Sequence, residues 1–108
     1  MTVKELCEAQ GFRAVCLPDP ERVVEGGYCG DLLSWVMGRA KSGQAWVTIM
    51  SNINVAAVAT LCDTSVIVLS EGVQPDDGVT AAAEARGINI ASTDMPTYEA
   101  AVAISRLI

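Results

Sequence analysis

From Ala45 to Leu107 the chain alternates apolar strand-like runs with helical stretches, three times over. Ala45 to Met50 (AWVTIM), Val66 to Leu69 (VIVL) and Ile88 to Ala91 read as the strands. Val55 to Cys62, a stretch opened by Pro75-Asp76-Asp77 and closed by Gly87, and Thr97 to Leu107 read as the helices. Strand–helix units of this length demand a mostly parallel sheet, because a tight hairpin joins only antiparallel strands. The VIVL run shows no polar alternation, as expected of a strand covered on both faces.

The first part of the chain is read from its caps and breakers. Thr2 and Glu5 have capping-box spacing and predict a helix from Val3 to Gln10, with Gly11 in the left-handed position after it. Phe12 to Leu17 reads as a strand, and no helix crosses Pro18-Asp19-Pro20. Arg22 to Glu25 reads as a second strand ending at Gly26-Gly27. Asp31 is positioned to cap a helix from Leu32 to Ala40, which Lys41-Ser42-Gly43 terminates. The expected class is α/β: a mostly parallel sheet of about five strands flanked by helices, layered α/β/α, in one domain over residues 1–108. The first two strands are the candidates for an antiparallel or mixed edge.

Charge and residue types exclude several functions. A net charge of −6, with only 7 Lys+Arg, opposes phosphate-backbone and anionic-membrane binding, so neither nucleic acid nor membrane is expected as a partner. No apolar run reaches the roughly 18 residues of a spanning helix. MTVKELCEAQ has neither the basic nor the apolar region of a signal peptide, so the cytoplasm is the expected compartment. There is no histidine, hence no His-based triad, metal ligand or imidazole switch. Cys7, Cys16, Cys29 and Cys62 form no CxxC pair and read as reduced, small apolar residues. Cys29, in a Gly-rich turn, is the one candidate for a reactive thiol. No cofactor and no metal site are implied.

In open α/β sheets, ligands bind beyond the carboxyl ends of the strands. Four turns are expected near that edge: Gly26-Gly27-Tyr28-Cys29-Gly30-Asp31, Ser51-Asn52-Ile53-Asn54, Ser70-Glu71-Gly72 and Ser92-Thr93-Asp94. Their candidate ligand-binding residues are Gly26, Gly27, Asp31, Ser51, Asn52, Asn54, Ser70, Glu71, Gly72, Ser92 and Thr93. Each turn leads towards a helix N-terminus, where free amides bind anions or carbonyls. These residue types also cap helices without any ligand, so the case rests on the turns facing one edge together. GGYCGD is neither GxGxxG nor a phosphate loop, since no lysine follows its glycines. No carboxylate pair or nucleophile–base pair stands out, and the reading is non-enzymatic.

The predicted helix Leu32 to Ala40 is apolar on more than one side. Leu32, Trp35 and Val36 make one stripe, and Leu33 and Met37 lie on another. In a chain this small the second side is expected to be covered by another copy, so Leu33, Trp35 and Met37 are the candidate homodimer contacts.

The run from VVEGGYCGDLLSWVMGRA through VTIMSNINVAAVA to the closing Gly-Ile strand, Ser-Thr turn and Tyr-Glu-Ala-Ala helix resembles a DRTGG domain of the small stand-alone type. Such domains occur as modules in phosphotransacetylases and CBS-containing pyrophosphatases and are similar to the N-terminal domain of HPr kinase/phosphorylase. Stand-alone versions occur in anaerobic bacteria, some near iron hydrogenase genes. The family's Asp-Arg pair falls at about Ser51-Asn52 and its Thr-Gly-Gly at Ser70-Glu71-Gly72, so only Gly72 keeps the signature letter. Asn52 and Asn54 put neutral amides where relatives carry charge. The resemblance implies a non-catalytic, homodimeric regulatory or interaction module with a partner enzyme, a hydrogenase or other redox protein. The alternative is a small-ligand sensor, an adenine nucleotide being the candidate ligand, at the strand ends. Kinase activity does not carry over, because the phosphate loop is missing.

Overall fold

The computed structural model describes all residues, 1–108. Helix α1 (Val3–Glu8) is opened by the capping box, Glu5 N donating to Thr2 Oγ1 and Thr2 N to Glu5 Oε1. It stops earlier than the predicted Gln10, because Ala9 is already extended, and Gly11 follows at φ 90°. The remaining elements are β1 (Phe12–Cys16), β2 (Gly26–Cys29), α2 (Leu33–Arg39), β3 (Gln44–Thr48), α3 (Asn54–Cys62), β4 (Val66–Leu69), α4 (Val79–Arg86), β5 (Ile90–Thr93) and α5 (Thr97–Leu107).

The five strands form one sheet in the order β1-β5-β4-β3-β2. All neighbours run parallel except β1 against β5. The first two strands therefore do not meet: β1 is the antiparallel edge and β2 the parallel edge on the far side. The second strand is not Arg22–Glu25 but the glycine-rich segment after it. Val23 makes only an isolated bridge to Thr2, while Gly26 to Cys29 pair in register with Gln44 to Val47. An edge strand packed on one neighbour tolerates glycine that a central strand would not.

β5 also lies two residues later than its apolar pattern suggests. Gly87 closes α4 in the left-handed region, and buried Asn89 is occupied as a clasp. Its Oδ1 accepts from Asp19 N at 2.9 Å, and its Nδ2 donates to the carbonyls of Asp19 and Ser65 at 2.7 and 3.0 Å. Pairing thus begins at Ile90 and takes in Ser92 and Thr93.

The two sheet faces are covered separately. Trp46, Ile67, Leu69 and Ile90 pack against Val36 of α2, Val55, Val58 and Ala59 of α3, and Val79 and Ala83 of α4. Ala45, Val47, Val66, Val68 and Ala91 pack against Val3 and Leu6 of α1 and Ala100 and Ile104 of α5. The strand period of two sends alternate residues of β3 and β4 into these two cores, so the central strands are buried on both faces. No helix is long and apolar enough to cross a membrane.

Candidate functional site

Because β2 to β5 are parallel and β1 runs the other way, the loops after β2, β3, β4 and β5 gather at one end of the sheet, together with Gly11 before β1. Hydrogen bonds join these loops in series. Asp31 Oδ1 accepts from Thr48 Oγ1 at 2.8 Å and from Ile49 N at 2.9 Å, tying the β2 loop to the end of β3. Asp31 is therefore not the cap of α2, whose N-cap is Leu32 with no side-chain hydrogen bond. Ser70 N donates to Thr48 O, tying the β4 loop to β3. Glu71 N and Gly72 N donate to Met95 O and Thr93 O, tying the β4 loop to the β5 loop.

Glu71 and Gly72 reach those partners with φ 62° and 73°. Left-handed geometry at a non-glycine residue costs roughly 1 kcal/mol or more and persists only where surrounding bonds hold it. Glu71 Oε2 accepts from Thr97 N at 2.8 Å and so serves the open end of α5, which has no local side-chain cap. Ser70 Oγ and Thr97 Oγ1 share a hydrogen bond of 2.8 Å. Thr93 Oγ1 donates to Gly11 O at 2.6 Å and accepts from Met95 N.

The β3 loop is built differently. Asn52 Oδ1 accepts from Asn54 N at 2.9 Å, and Val55 N donates to Asn52 O. Ser51 Oγ donates to Asp76 Oδ1 at 2.9 Å while Asp76 N donates to Ser51 O. Asp76 is thus drawn to the β3 loop and does not sit in the first turn of α4, which begins after left-handed Gly78 and has no acid there.

Of the sequence-predicted residues, Asp31, Ser51, Asn52, Asn54, Ser70, Glu71, Gly72 and Thr93 come together at this edge. Gly26 and Gly27 do not, being paired inside β2 with φ outside the left-handed region. Ser92 and Thr93 both lie within β5, 2% and 0% exposed; Thr93 meets the edge only through its bonds to Gly11 O and Met95 N, and Ser92 is a sheet residue. The free amides expected at the helix starts are largely spent. Those of Asn54, Val55, Glu71, Gly72, Val73 and Thr97 are all paired within the chain. The edge is also acidic, with Asp31, Glu71, Asp76 and Asp94, and Arg13 beside it is engaged by Asp94 at 3.1 Å. A bare polyphosphate therefore finds neither an amide nest nor a basic clamp here.

What the edge does offer went unnoticed in the sequence. Leu32, Ile49 and Ile53, on the adjoining β2 and β3 loops, are 60%, 43% and 51% exposed. Ile53 lies between Asn52 and Asn54 in the chain, and Leu32 and Ile49 follow Asp31 and Thr48, which a hydrogen bond joins across the two loops. Their position just past a strand end, where a core residue has no helix above it, was the available signal.

The exposed side of α2 is open as well. Only Val36 of that helix is fully buried, and Leu33 is half-buried against the chain's own core. Trp35 and Met37 face outward, 56% and 48% exposed, with the Arg39 guanidinium 4.0 Å from the Trp35 ring centroid. Of the three expected contact residues, Leu33 is the one the fold itself uses. All four cysteines are free; Cys16 and Cys62 are buried and Cys29 is exposed. Burial first, and the Asp31 charge second, push the Cys29 thiol above its usual range, which opposes thiolate reactivity.

No protein-family model matches the chain, and no curated protein matches it. Among solved structures it is similar to the CBS and DRTGG domains of the regulatory region of Clostridium perfringens pyrophosphatase, in a crystal structure complexed with the activator diadenosine tetraphosphate. The TM-score is 0.68 at 12% sequence identity, over 98% of this chain and 45% of that one. The chain thus spans less than half the length of that regulatory-region chain. At this identity the likeness is one of architecture: the chain has a fold of the DRTGG/CBS-region kind, shared with part of a regulatory region.

Proposed function

We propose that the chain is a non-catalytic regulatory module of the DRTGG type that senses a small ligand at the carboxyl ends of its parallel strands. The observation that carries this reading is the exposure of Leu32, Ile49 and Ile53 on the same strand-end loops as Asn52 and Asn54, at the edge where open α/β sheets take ligands. The solved structure of like fold is a regulatory region holding a dinucleotide activator, which supports an adenine nucleotide as the ligand class. A flat base resting on these aliphatic side chains, with its polar edge read by the Asn54 side-chain amide and Asn52 Nδ2, uses what the site has. The acidic surroundings favour the nucleoside end over the phosphates, whose charge needs a counter-ion from solution.

Thermal melts of the full chain with adenosine, AMP, ATP and diadenosine tetraphosphate test this. A ligand at about 100 times its Kd stabilises by about 2.7 kcal/mol. For a domain of this size that raises Tm by roughly 10–20 °C. Asn52→Ala is expected to remove the rise. A flat response to all four compounds, or an undiminished rise in the variant, defeats the reading.

Two finer points belong to the same proposal. The module is a homodimer through Trp35 and Met37, apolar residues that a single copy leaves in water, with half-buried Leu33 at their side. Its output passes to a partner enzyme, a hydrogenase or other redox protein, as the stand-alone DRTGG resemblance implies. Light scattering at micromolar concentration tests the dimer, and a monomer with Trp35 exposed defeats that part alone.

A further inference from the structure

The two edges of the sheet are finished differently. β1 carries an extra residue at Val15, where its register against β5 shifts, holds the ion-paired Arg13, and is followed by Pro18. Bulges, charges and prolines are the means by which natural edge strands refuse further partners. β2 has none of them: Gly26, Gly27, Tyr28 and Cys29 pair in unbroken register with β3 on one side and with nothing on the other.

The α5 side of β2 is also hollow. Gly27 and Cys29 point towards α5 but are too small to reach it. A mostly apolar, partly open cavity of about 170 Å³ remains between Gly27, Cys29 and Val47 of the sheet and Ala101, Ile104, Ser105 and Ile108 of the α5 end. Apolar cavities of roughly 150 Å³ accept a benzene-sized group. A strand laid beside β2, about 4.8 Å away, directs every second side chain to this same face of the sheet. The cavity thus lies where one such side chain goes.

Charge selects the occupant. The strand is flanked by exposed Glu25 and Asp31, and from Val23 to Ser34 there is no lysine or arginine. A second copy laid antiparallel on the same edge sets Glu25 against Asp31, acid against acid, which cross-strand pairing disfavours. We infer that the β2 edge accepts an extended segment of a partner protein, adding it as a sixth strand, with an aliphatic or aromatic side chain in the cavity and basic residues facing Glu25 and Asp31. Strand addition of this kind draws affinity from main-chain pairing and selectivity from the pocket. The inference is independent of the ligand proposed above, since it uses the lateral edge and not the strand-end loops.

The probes are blocked pentapeptides with lysine at both ends, threonine at the second and fourth positions, and valine, leucine or phenylalanine at the centre. A matched series carries glutamate at both ends. Each is titrated into the isotope-labelled full chain and followed by amide NMR. The lysine series is expected to shift resonances of Glu25–Asp31 and Ala101–Ile108 saturably, to slow amide exchange in β2, and to weaken with added salt. The glutamate series is expected to do none of this. Gly27→Leu fills the cavity and weakens the lysine series about tenfold or more. A Cβ at Gly27 meets only the Ala45 carbonyl, at 3.7 Å, so the variant is expected to melt cooperatively. Cys29→Met, filling the same space, gives the same loss. No shift with any lysine peptide at millimolar concentration, equal binding of both series, or shifts centred elsewhere overturns the inference. So does a concentration-dependent dimer that Gly27→Leu abolishes, which assigns the edge to a second copy.

Discussion

Replacing Asp31 with alanine removes the acceptor for both Thr48 Oγ1 and Ile49 N, at 2.8 and 2.9 Å. Hydrogen bonds to a charged group contribute about 1.5–3 kcal/mol each. Thr48 is fully buried, so its hydroxyl proton loses that acceptor, and the oxygen keeps only the incoming bond from Met50 N. Asp31 itself is exposed, which lowers its share, so the expected loss is about 2–3 kcal/mol in total. That lowers Tm by roughly 10–20 °C in a domain of this size. Asp31→Asn keeps an oxygen acceptor and is expected to lose only about 1 kcal/mol. Urea unfolding read by Trp46 fluorescence suits the measurement, since Trp46 is fully buried and its Nε1 donates to Gly30 O next to Asp31. A double-mutant cycle with Thr48→Val isolates the pair and is expected to give a coupling of about 1 kcal/mol or more. If Asp31 instead capped α2, the two substitutions would add within about 0.3–0.5 kcal/mol. Additivity, or an asparagine variant as costly as alanine, refutes the assignment.

Asn89→Ala takes the Asn89 amide from the carbonyl of buried Ser65 and from the backbone of exposed Asp19, and costs about 2–3 kcal/mol by chemical denaturation; a loss under about 1 kcal/mol contradicts the clasp. Glu71→Ala frees the first amide of α5 and is expected to destabilise by about 1 kcal/mol, while Glu71→Gln, which retains an oxygen, recovers most of it. Equal losses for the two would place Glu71 outside the cap. Hydrogen bonds from Arg22 first, and from Ser42 second, hold the Asp63 carboxyl below its ordinary value. A depressed carboxyl stabilises the fold above its unfolded pKa, about 4, and that contribution disappears as pH falls through the folded value. Arg22→Gln is therefore expected to flatten the stability profile below about pH 4 and leave its shape near neutrality unchanged. A steeper acid limb reverses the sign and defeats the claim. Thiol labelling of the native chain is expected at Cys29, with Cys16 and Cys62 reacting only on unfolding.

The layered parallel architecture was legible because its cause is local. The unbroken VIVL run, the Thr2–Glu5 box and the glycines at 11 and 87 act through neighbours in sequence, and the structure uses them as read. What could not be read was the destination of side chains whose partners lie far along the chain. Asp31 has cap chemistry, but Thr48 and Ile49 compete for it from 17 and 18 residues away. Asp76 is similarly drawn to Ser51, 25 residues away, and Glu71 to Thr97, 26 residues away. Gly26-Gly27 suggested a turn because glycine disfavours strands, yet pairing with Gln44 and Ala45 overrides that preference at an edge. The loops after β2, β3, β4 and β5 share one end of the sheet, while Gly26, Gly27 and Ser92 belong to the strands. The loop amides are expected to be free, but bonds within and between the loops use most of them. The exposure of Leu32, Ile49 and Ile53 escaped notice because they look like core residues until the sheet ends beneath them.

The account stands or falls on where an adenine nucleotide touches the chain. Amide and methyl NMR of the full chain, titrated with diadenosine tetraphosphate and separately with adenosine, reads this out residue by residue. Saturable shifts at Leu32, Ile49, Asn52, Ile53 and Asn54, present with adenosine and lost in Asn52→Ala, are the predicted result. Titration to saturation with both compounds that leaves those residues unmoved, or that moves only residues on another face, contradicts it.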